Sequence, residues 1–178
     1  MTRHIALIRG INVGKARRVA MADLRRELEA LGYADVRTLL NSGNAVFDAP
    51  KSAKGDPRER IEAVLEERLG VPARVTVLTL AGLERALADG PFARGAKDPS
   101  KALVTFFRSP GDAKLLAPLA KLDFGRETLA VGKACAWLEC PDGVLGGKLW
   151  TAVDEALGDR GTARNVATLA KLVALARS

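Results

Sequence analysis

The sequence predicts an α+β fold that is built twice from the same order of elements. Stretches rich in β-branched residues alternate with stretches in which apolar residues follow helical spacing. The order strand, helix, strand, strand, helix, strand can be followed in each half of the chain. A length of 178 residues is enough for one ordinary domain or for two small halves that share a core.

The first half predicts four strands and two helices. Leu24 and Leu28 lie on the apolar face of the first helix, and Gly32 and Gly70 stand where the two helices end. Pro57 suits the first turn of the second helix. In chain order the predicted elements are a strand at 4–9, a helix at 21–31, strands at 35–41 and 44–48, a helix at 57–69 and a strand at 73–79.

The second half repeats this order after a short helix near 80–88 and a loop that contains Gly90 and Pro91. The predicted elements are a strand at 101–108, a helix at 112–122, strands at 127–131 and 134–140, a helix at 148–157, a short extended piece at 162–164 and a final helix. We therefore predict two tandem ferredoxin-like βαββαβ subdomains packed together. They occupy residues 1–79 and 101–178, residues 80–100 connect them, and the second carries the C-terminal helix.

The charge of the chain favours an anionic partner. The formal net charge is +7 and the pI is about 9.8, and such a field attracts polyanions. Residues 1–18 and 160–178 contain several basic residues and no acidic residue. The alternative is that an arginine-rich and alanine-rich composition reflects only the base composition of the genome.

Several classes of protein are disfavoured by the sequence. The two cysteines do not form a disulfide scaffold, and no histidine or cysteine cluster has metal-ligand spacing. We therefore expect no metal and no cofactor. The chain has no apolar run near the roughly 20 residues of a membrane helix and no signal-peptide pattern. We expect a cytoplasmic protein with no membrane partner.

Two loops of the first half form the predicted ligand site. In a βαββαβ unit the first two strands run parallel, so the loop after Arg9 and the hairpin after Asn41 emerge at one edge of the sheet. Glycines in the first loop permit close backbone approach to an anion. The predicted ligand-binding residues here are Arg9, Gly10, Asn12, Gly14, Lys15, Asn41, Ser42 and Asn44.

Each loop also has a purely structural interpretation. The first loop resembles a P-loop, but only three residues separate Gly10 from Gly14, and Ala16 follows Lys15, so nucleotide hydrolysis of the P-loop type is not predicted. The loop could be a basic connection whose glycines serve only for turning. The residues of the hairpin are those that a tight turn requires, with Gly43 at a left-handed position.

A second group of predicted ligand-binding residues lies in the other half. Lys148 follows two glycines at a helix start, and Arg164 and Asn165 precede the last helix, whose free N–H groups favour an anion. Helix capping and ordinary surface charge are the alternative. No catalytic residue is identified, because His4, the single histidine, stands at the start of a strand and no carboxylate pair is evident.

Several motifs along the chain are typical of one protein family. They include Ile5 to Gly14, Met21-x-x-Leu24-x-x-x-Leu28, Ser42-Gly43-Asn44-x-Val46-Phe47, Cys140-Pro141-Asp142-Gly143 and Thr162-x-Arg164-Asn165. In these motifs the chain resembles the bacterial "domain of unknown function" family 1697 over nearly its whole length. That resemblance implies an α/β fold of two similar subdomains and names no catalytic residue. The chain departs from the family pattern at Lys15, Gly147 and Val166-Ala167, where the family usually has glycine, serine and Trp-Asn.

Three functions are compatible with these patterns. The first is the binding of a phosphorylated or polyanionic ligand, either a small molecule or a nucleic acid, at the two loops. The second is a small enzyme that acts on an anionic metabolite, in which asparagine side chains stabilise developing negative charge. The third is a protein-interaction module, because folds of this type host unrelated functions.

Overall fold

The computed structural model describes residues 1–12, 18–92 and 94–178 of the chain. These residues form two four-stranded sheets in which every neighbouring pair of strands is antiparallel. The chain divides into two compact units, Met1–Gly82 together with Leu172–Ser178, and Leu83–Lys171. The predicted α+β class with two subdomains is therefore confirmed, whereas the predicted boundaries at 79 and 101 stay a prediction.

The first unit contains one sheet with the strand order β2-β3-β1-β4. Because β1 and β2 are both antiparallel to β3, they point the same way, and their C-terminal ends meet at one edge of the sheet. We call this edge the first-unit rim: the end of β1, residues 10–12 and 18–20, and the turn at residues 40–43. The elements are β1 Thr2–Arg9, α1 Met21–Ala30, β2 Ala34–Leu39, β3 Asn44–Ala49, α2 Pro57–Leu69, β4 Arg74–Thr79 and α3 Leu80–Ala88, which continues into the second unit.

Local sequence signals explain the helices of the first unit. Asp56 caps α2 by accepting a hydrogen bond from the Arg58 backbone N–H at 2.9 Å, and Pro57 occupies the first turn, where its missing N–H costs nothing. Gly70 ends the helix in the left-handed conformation, with φ of 65°. Both helices bury one apolar stripe, which includes Leu24 and Leu28 of α1.

The second unit has a sheet with the equivalent strand order, β6-β7-β5-β8. The short extended piece predicted near 162–164 is a full strand that pairs with the central strand β5. The elements are β5 Ala102–Phe107, β6 Thr128–Val131, β7 Cys135–Glu139, α4 Lys148–Leu157, β8 Gly161–Asn165 and α5 Val166–Arg177, whose last residues belong to the first unit.

The helix predicted at 112–122 is wrong in type and extent. The segment forms two short 3-10 helices, Pro110–Leu116 and Leu119–Lys121. Pro118 separates them, because proline has no N–H to donate within a helix and its ring clashes with the carbonyl group one turn earlier. The first 3-10 helix begins with a capping box in which the Ser109 N–H donates to the Asp112 carboxylate at 2.8 Å.

The C-terminal residues contribute to the first unit. Leu172 and Ala176 of α5 are buried. The Arg37 guanidinium on β2 donates to the Ser178 hydroxyl at 2.7 Å. The end of the chain is thus anchored beside the sheet of the first unit.

Candidate functional site

The loop after β1 and the turn between β2 and β3 lie side by side, as the predicted topology requires. The Ile8 backbone N–H donates to the Gly43 carbonyl oxygen at 2.8 Å. The Asn12 side-chain amide donates to the Asn41 carbonyl oxygen at 2.6 Å. Gly43 has φ of 76°, so the left-handed position predicted for it is confirmed. These contacts join the two loops into one edge.

Asn12 is the central clamp of the first-unit rim. Its backbone is left-handed, with φ of 56°. Its Nδ2 also donates to the Val19 carbonyl oxygen at 2.9 Å, and its Oδ1 accepts from the Val19 N–H at 2.8 Å. Both amide hydrogens are therefore used inside the protein, and the side chain joins Asn12 to Val19 across positions 13–17. The predicted residues Gly14 and Lys15 lie outside the described residues.

The side chain of Asn44 also has a structural role and is not available to a ligand. It is fully buried at the start of β3. Its Nδ2 donates to the Leu39 carbonyl oxygen at 3.0 Å and to the Ser42 hydroxyl oxygen at 2.9 Å. Since an amide nitrogen has only two hydrogens, none is left for a ligand. By contrast, Asn41 and Ser42 are exposed at the tip of the turn.

Positive charge gathers at the same rim. Arg9 at the end of β1 is directly opposite Arg74 at the start of β4, an arrangement in which like charges repel. Arg74 lies 3.6 Å from one carboxylate, that of Glu62. Gly10 follows Arg9 in the left-handed conformation, and Arg18 is exposed where the described chain resumes.

The N-terminus of α1 opens onto this rim. Ala20 at its N-cap has no side-chain oxygen, so the N-cap side chain accepts no hydrogen bond from the first N–H groups of the helix. The first turn contains one acidic residue, Asp23, whose carboxylate accepts a hydrogen bond from Arg26 at 2.8 Å. The partial positive charge of the helix end adds to that of the arginines.

Other basic residues in the two acid-free stretches have acidic partners brought by the fold. Arg3, at the far end of β1, contacts Asp35 at 2.6 Å and Asp48 at 3.3 Å. The hydrogen bond from Arg3 holds the pKa of Asp35 below its usual value, and Arg37 adds to the effect. In the second unit, Arg160 lies 3.7 Å from Asp112. A stretch of sequence without acidic residues therefore does not by itself form a basic surface in the folded protein.

Lys148, predicted as a ligand residue, is the exposed first residue of α4. The helix end that it begins is already occupied by an acid of the protein, since the Leu149 N–H donates to the Glu127 carboxylate at 3.0 Å. A carboxylate at this position stabilises the helix as a bound anion would.

Arg164 and Asn165 stand at the end of β8, immediately before α5. The Asn165 side-chain oxygen accepts a hydrogen bond from the Thr168 N–H at 2.8 Å, which is an N-cap contact. The Arg164 guanidinium donates to the Ala163 carbonyl oxygen at 2.8 Å. The capping role that the sequence left open is thus present for Asn165.

His4 does not lie at the rim. It is near the start of β1, where its Nδ1 is 2.8 Å from the Thr2 carbonyl oxygen, and its ring stacks on Phe47 with centroids 5.5 Å apart. Among the described residues, no group of three histidine, cysteine or acidic side chains could hold a metal ion, and no helix has the length and apolar character to cross a membrane.

The second unit contains a cavity that the sequence did not indicate. Its volume is about 530 Å³. The residues around it come from three separate parts of the chain, so no motif connects them. We call it the charged cavity, and its lining is Lys97, Asp98, Lys101, Arg126, Glu139 and Pro141.

Both cysteines are buried free thiols. Burial raises the pKa of Cys135 to about 11 and that of Cys140 to about 12, and the charges of Asp89 and Glu127 add to these shifts. Because the thiolate is the reactive form of cysteine, neither thiol has the character of a nucleophile at neutral pH.

The raised pKa values of these two thiols predict that the protein loses stability at alkaline pH. Unfolded thiols ionise near pH 9, whereas the folded ones keep their protons to higher pH, so the free energy of unfolding should fall as the pH rises above 9. The slope should approach about 1.4 kcal/mol per pH unit for each thiol. Urea unfolding at pH 8 and pH 10 measures it. A Cys135→Ala/Cys140→Ala variant should lack this part of the decline, and an equal decline in both proteins would contradict the prediction.

The comparisons with known proteins identify the family. The sequence profile described as "Protein of unknown function (DUF1697)" matches residues 1–137. The chain belongs to this family. The match confirms the resemblance found in the sequence, and it covers the whole first-unit rim. The description of DUF1697 names no activity.

A solved structure also resembles this DUF1697 member. It is that of a conserved bacterial protein from Streptococcus pneumoniae, with 26% sequence identity and a TM-score of 0.81. The similarity covers 98% of each chain. None of the curated proteins matches the chain.

Proposed function

We propose that this protein binds a small anionic ligand, such as a phosphorylated metabolite, at the first-unit rim. The Asn12 clamp is the observation that carries this proposal. It joins the β2–β3 turn to Asn12 and Val19, which stand on either side of positions 13–17. Lys15 and Arg17 lie between them in the sequence, and Arg18 follows. Cations in a segment whose flanking residues are held by hydrogen bonds lose less entropy when they bind an anion.

The electrostatics of the rim support the same conclusion. Arg9 and Arg74 stand opposite each other, and an anion between neighbouring cations relieves their repulsion. The uncapped N-terminus of α1 adds backbone N–H groups. The roles of Asn12 and Asn44 in this proposal are to position the two loops. Gly10, Asn41 and Ser42 supply the exposed surface, and the half-buried Arg9 borders it.

A small anion is favoured over a single-stranded nucleic acid. Sequence-tolerant binding of single strands relies on aromatic side chains on which bases stack. In the first unit, Tyr33 and Phe47 are buried and stack on each other, with ring centroids 4.5 Å apart. They are thus part of the core rather than of an open platform.

Calorimetric titration with inorganic phosphate and with glycerol 3-phosphate tests the proposal. At the first-unit rim, a Lys15→Gln/Arg18→Gln variant should bind both ligands about tenfold more weakly than the natural chain, because it loses two charge-assisted contacts. The matched control is Lys51→Gln/Lys54→Gln, which removes the same charge from an exposed loop of the same unit. Equal affinities in the two variants would refute the proposal.

A salt series separates small anions from polyanions. A duplex DNA ligand should lose affinity with a slope of about −0.9 in log K against log salt for each phosphate contact. The binding of a small phosphate ester should change far less over the same range. Stabilisation by polyanions alone would favour a nucleic-acid partner instead.

We also propose that each unit is a ferredoxin-like subdomain and that the protein is cytoplasmic. The strand orders β2-β3-β1-β4 and β6-β7-β5-β8 support the first statement. The second rests on the composition of the chain. The division into residues 1–79 and 101–178 remains part of this proposal.

A further inference from the structure

The charged cavity of the second unit has the size and composition of a polar ligand site. Its volume of about 530 Å³ lies within the range of roughly 300–1,000 Å³ that is common for small-molecule sites. Among the described residues, its lining contains three basic and two acidic side chains and a proline. None of these six residues is aromatic, so none of them offers a platform on which a nucleobase could stack.

Hydrogen bonds hold the walls of the cavity in place. The turn that begins at Asp98 is closed by the Lys101 N–H, which donates to the Asp98 carbonyl oxygen at 3.0 Å. The Cys140 N–H donates to the Lys101 carbonyl oxygen at 2.9 Å, and the Lys101 ammonium donates to the Pro141 carbonyl oxygen at 2.9 Å. The two turns are therefore fixed to each other before any ligand arrives.

The three cations retain capacity for an anion. Lys97 makes no hydrogen bond or ion pair with any other described residue. Lys101 uses one of its three donors on Pro141 and lies 3.9 Å from the Asp98 carboxylate, a partly exposed pair that leaves its other donors available. Arg126 contacts Asp142 at 2.7 Å, but the two side chains are 73% and 66% exposed, and such surface pairs are weak. A phosphate ester offers three terminal oxygens to such donors.

The carboxylate of Glu139 gives the cavity a second kind of group. Glu139 is half-buried at the end of β7 and has no ion-pair partner among the described residues. It pairs in register with Ala102 and Thr128, whose short side chains leave room beside it. An ionised carboxylate only accepts hydrogen bonds, so hydroxyl groups of a ligand would be suitable partners. The other acid, Asp98, already accepts two hydrogen bonds from Ser100.

We propose that the charged cavity is a second ligand site, separate from the first-unit rim, and that it binds a phosphorylated sugar or polyol. The phosphate contacts Lys97, Lys101 and Arg126. A hydroxyl group of the carbon skeleton donates to Glu139. Inorganic phosphate contacts only the three cations, because at neutral pH the Glu139 carboxylate repels its negative charge.

Calorimetric titration of the full chain with glucose 6-phosphate, inorganic phosphate and glucose tests this site. Glucose 6-phosphate should bind about tenfold more tightly than phosphate, and glucose alone should show no measurable binding. Lys97→Gln should weaken the binding of both phosphate-containing ligands at the charged cavity about tenfold and leave phosphate binding at the first-unit rim unchanged. Glu139→Gln should abolish most of the preference for the sugar phosphate while phosphate still binds. Retention of the full preference in Glu139→Gln would overturn the role of this carboxylate.

Two control variants assign the binding to this cavity. Lys121→Gln removes an exposed lysine of the same unit that does not line the cavity, and its affinity should equal that of the natural chain. The Lys15→Gln/Arg18→Gln variant should also retain binding of glucose 6-phosphate. Equal affinities of Lys97→Gln and Lys121→Gln, or loss of binding only in the rim variant, would overturn the proposal, whatever the outcome at the rim.

Discussion

Replacement of Gly43 by alanine should destabilise the protein by about 3 kcal/mol. Gly43 has φ of 76°, a left-handed backbone conformation that is unfavourable for any residue with a Cβ atom. A Cβ atom at this position would lie 2.8 Å from Ile11 Cδ1 and 2.9 Å from Ile8 Cβ. The second contact cannot relax by side-chain rotation, because Ile8 Cβ is fixed to the backbone of β1. Urea unfolding followed by circular dichroism measures the loss.

Gly32→Ala is the matched control for this prediction. Gly32 has φ of 85°, but a Cβ atom there would have no neighbour within 4 Å. Gly32→Ala should therefore lower the free energy of unfolding only by the cost of the left-handed backbone conformation, about 1 kcal/mol. If the two variants were equally stable, the close approach of the turn to Ile8 and Ile11 would not contribute, and the rim would be less tightly packed than described.

Gly90→Ala should have the largest effect in the second unit, also about 3 kcal/mol. A Cβ atom at Gly90 would lie 2.1 Å from Trp137 Nε1. The indole cannot move away freely, because its N–H donates to the Ala86 carbonyl oxygen at 2.9 Å and its far edge lies against Gly132. Displacement would leave a buried donor without a partner, which is costly.

A double-mutant cycle with Trp137→Phe tests the cause. Phenylalanine lacks the Nε1 group, so Gly90→Ala should cost less in that background than in the natural chain. Gly111→Ala is the control, because Gly111 has open space around its Cβ position. It should be neutral or slightly stabilising, by about 0.5 kcal/mol. Equal costs of Gly90→Ala in both backgrounds would show that the indole is not the obstacle.

The elements of the fold were predictable from local pattern wherever the pattern was continuous. The strand β1 follows a continuous apolar run from Ile5 to Ile8, and the helix α2 begins at Pro57 directly after its capping residue Asp56; both signals act within a few residues. The segment at 112–122 differs because its apolar spacing suits a helix while Pro118 interrupts the hydrogen bonds that the helix would need. Pro118 is the feature of the sequence that could have predicted this interruption of the helix.

The sequence predicted where the two loops of the candidate site meet, but it did not predict the role of each residue in them. Parallel β1 and β2 bring the two loops together, which follows from topology alone. That Asn12 and Asn44 turn their amide groups inward depends on partners such as Val19 and Leu39, whose positions only the folded chain fixes. The charged cavity was missed for the same reason, since Lys97, Arg126 and Glu139 come from separate parts of the chain that only the fold brings together.

The anchoring of Ser178 beside Arg37 has a consequence for biosynthesis. Residues 172–178 belong to the first unit, although its sheet is complete by residue 79. A nascent chain on the ribosome therefore exposes the surface around Arg37 until residues 172–178 have been translated. The first unit is completed only after the second unit, Leu83–Lys171, has been synthesised.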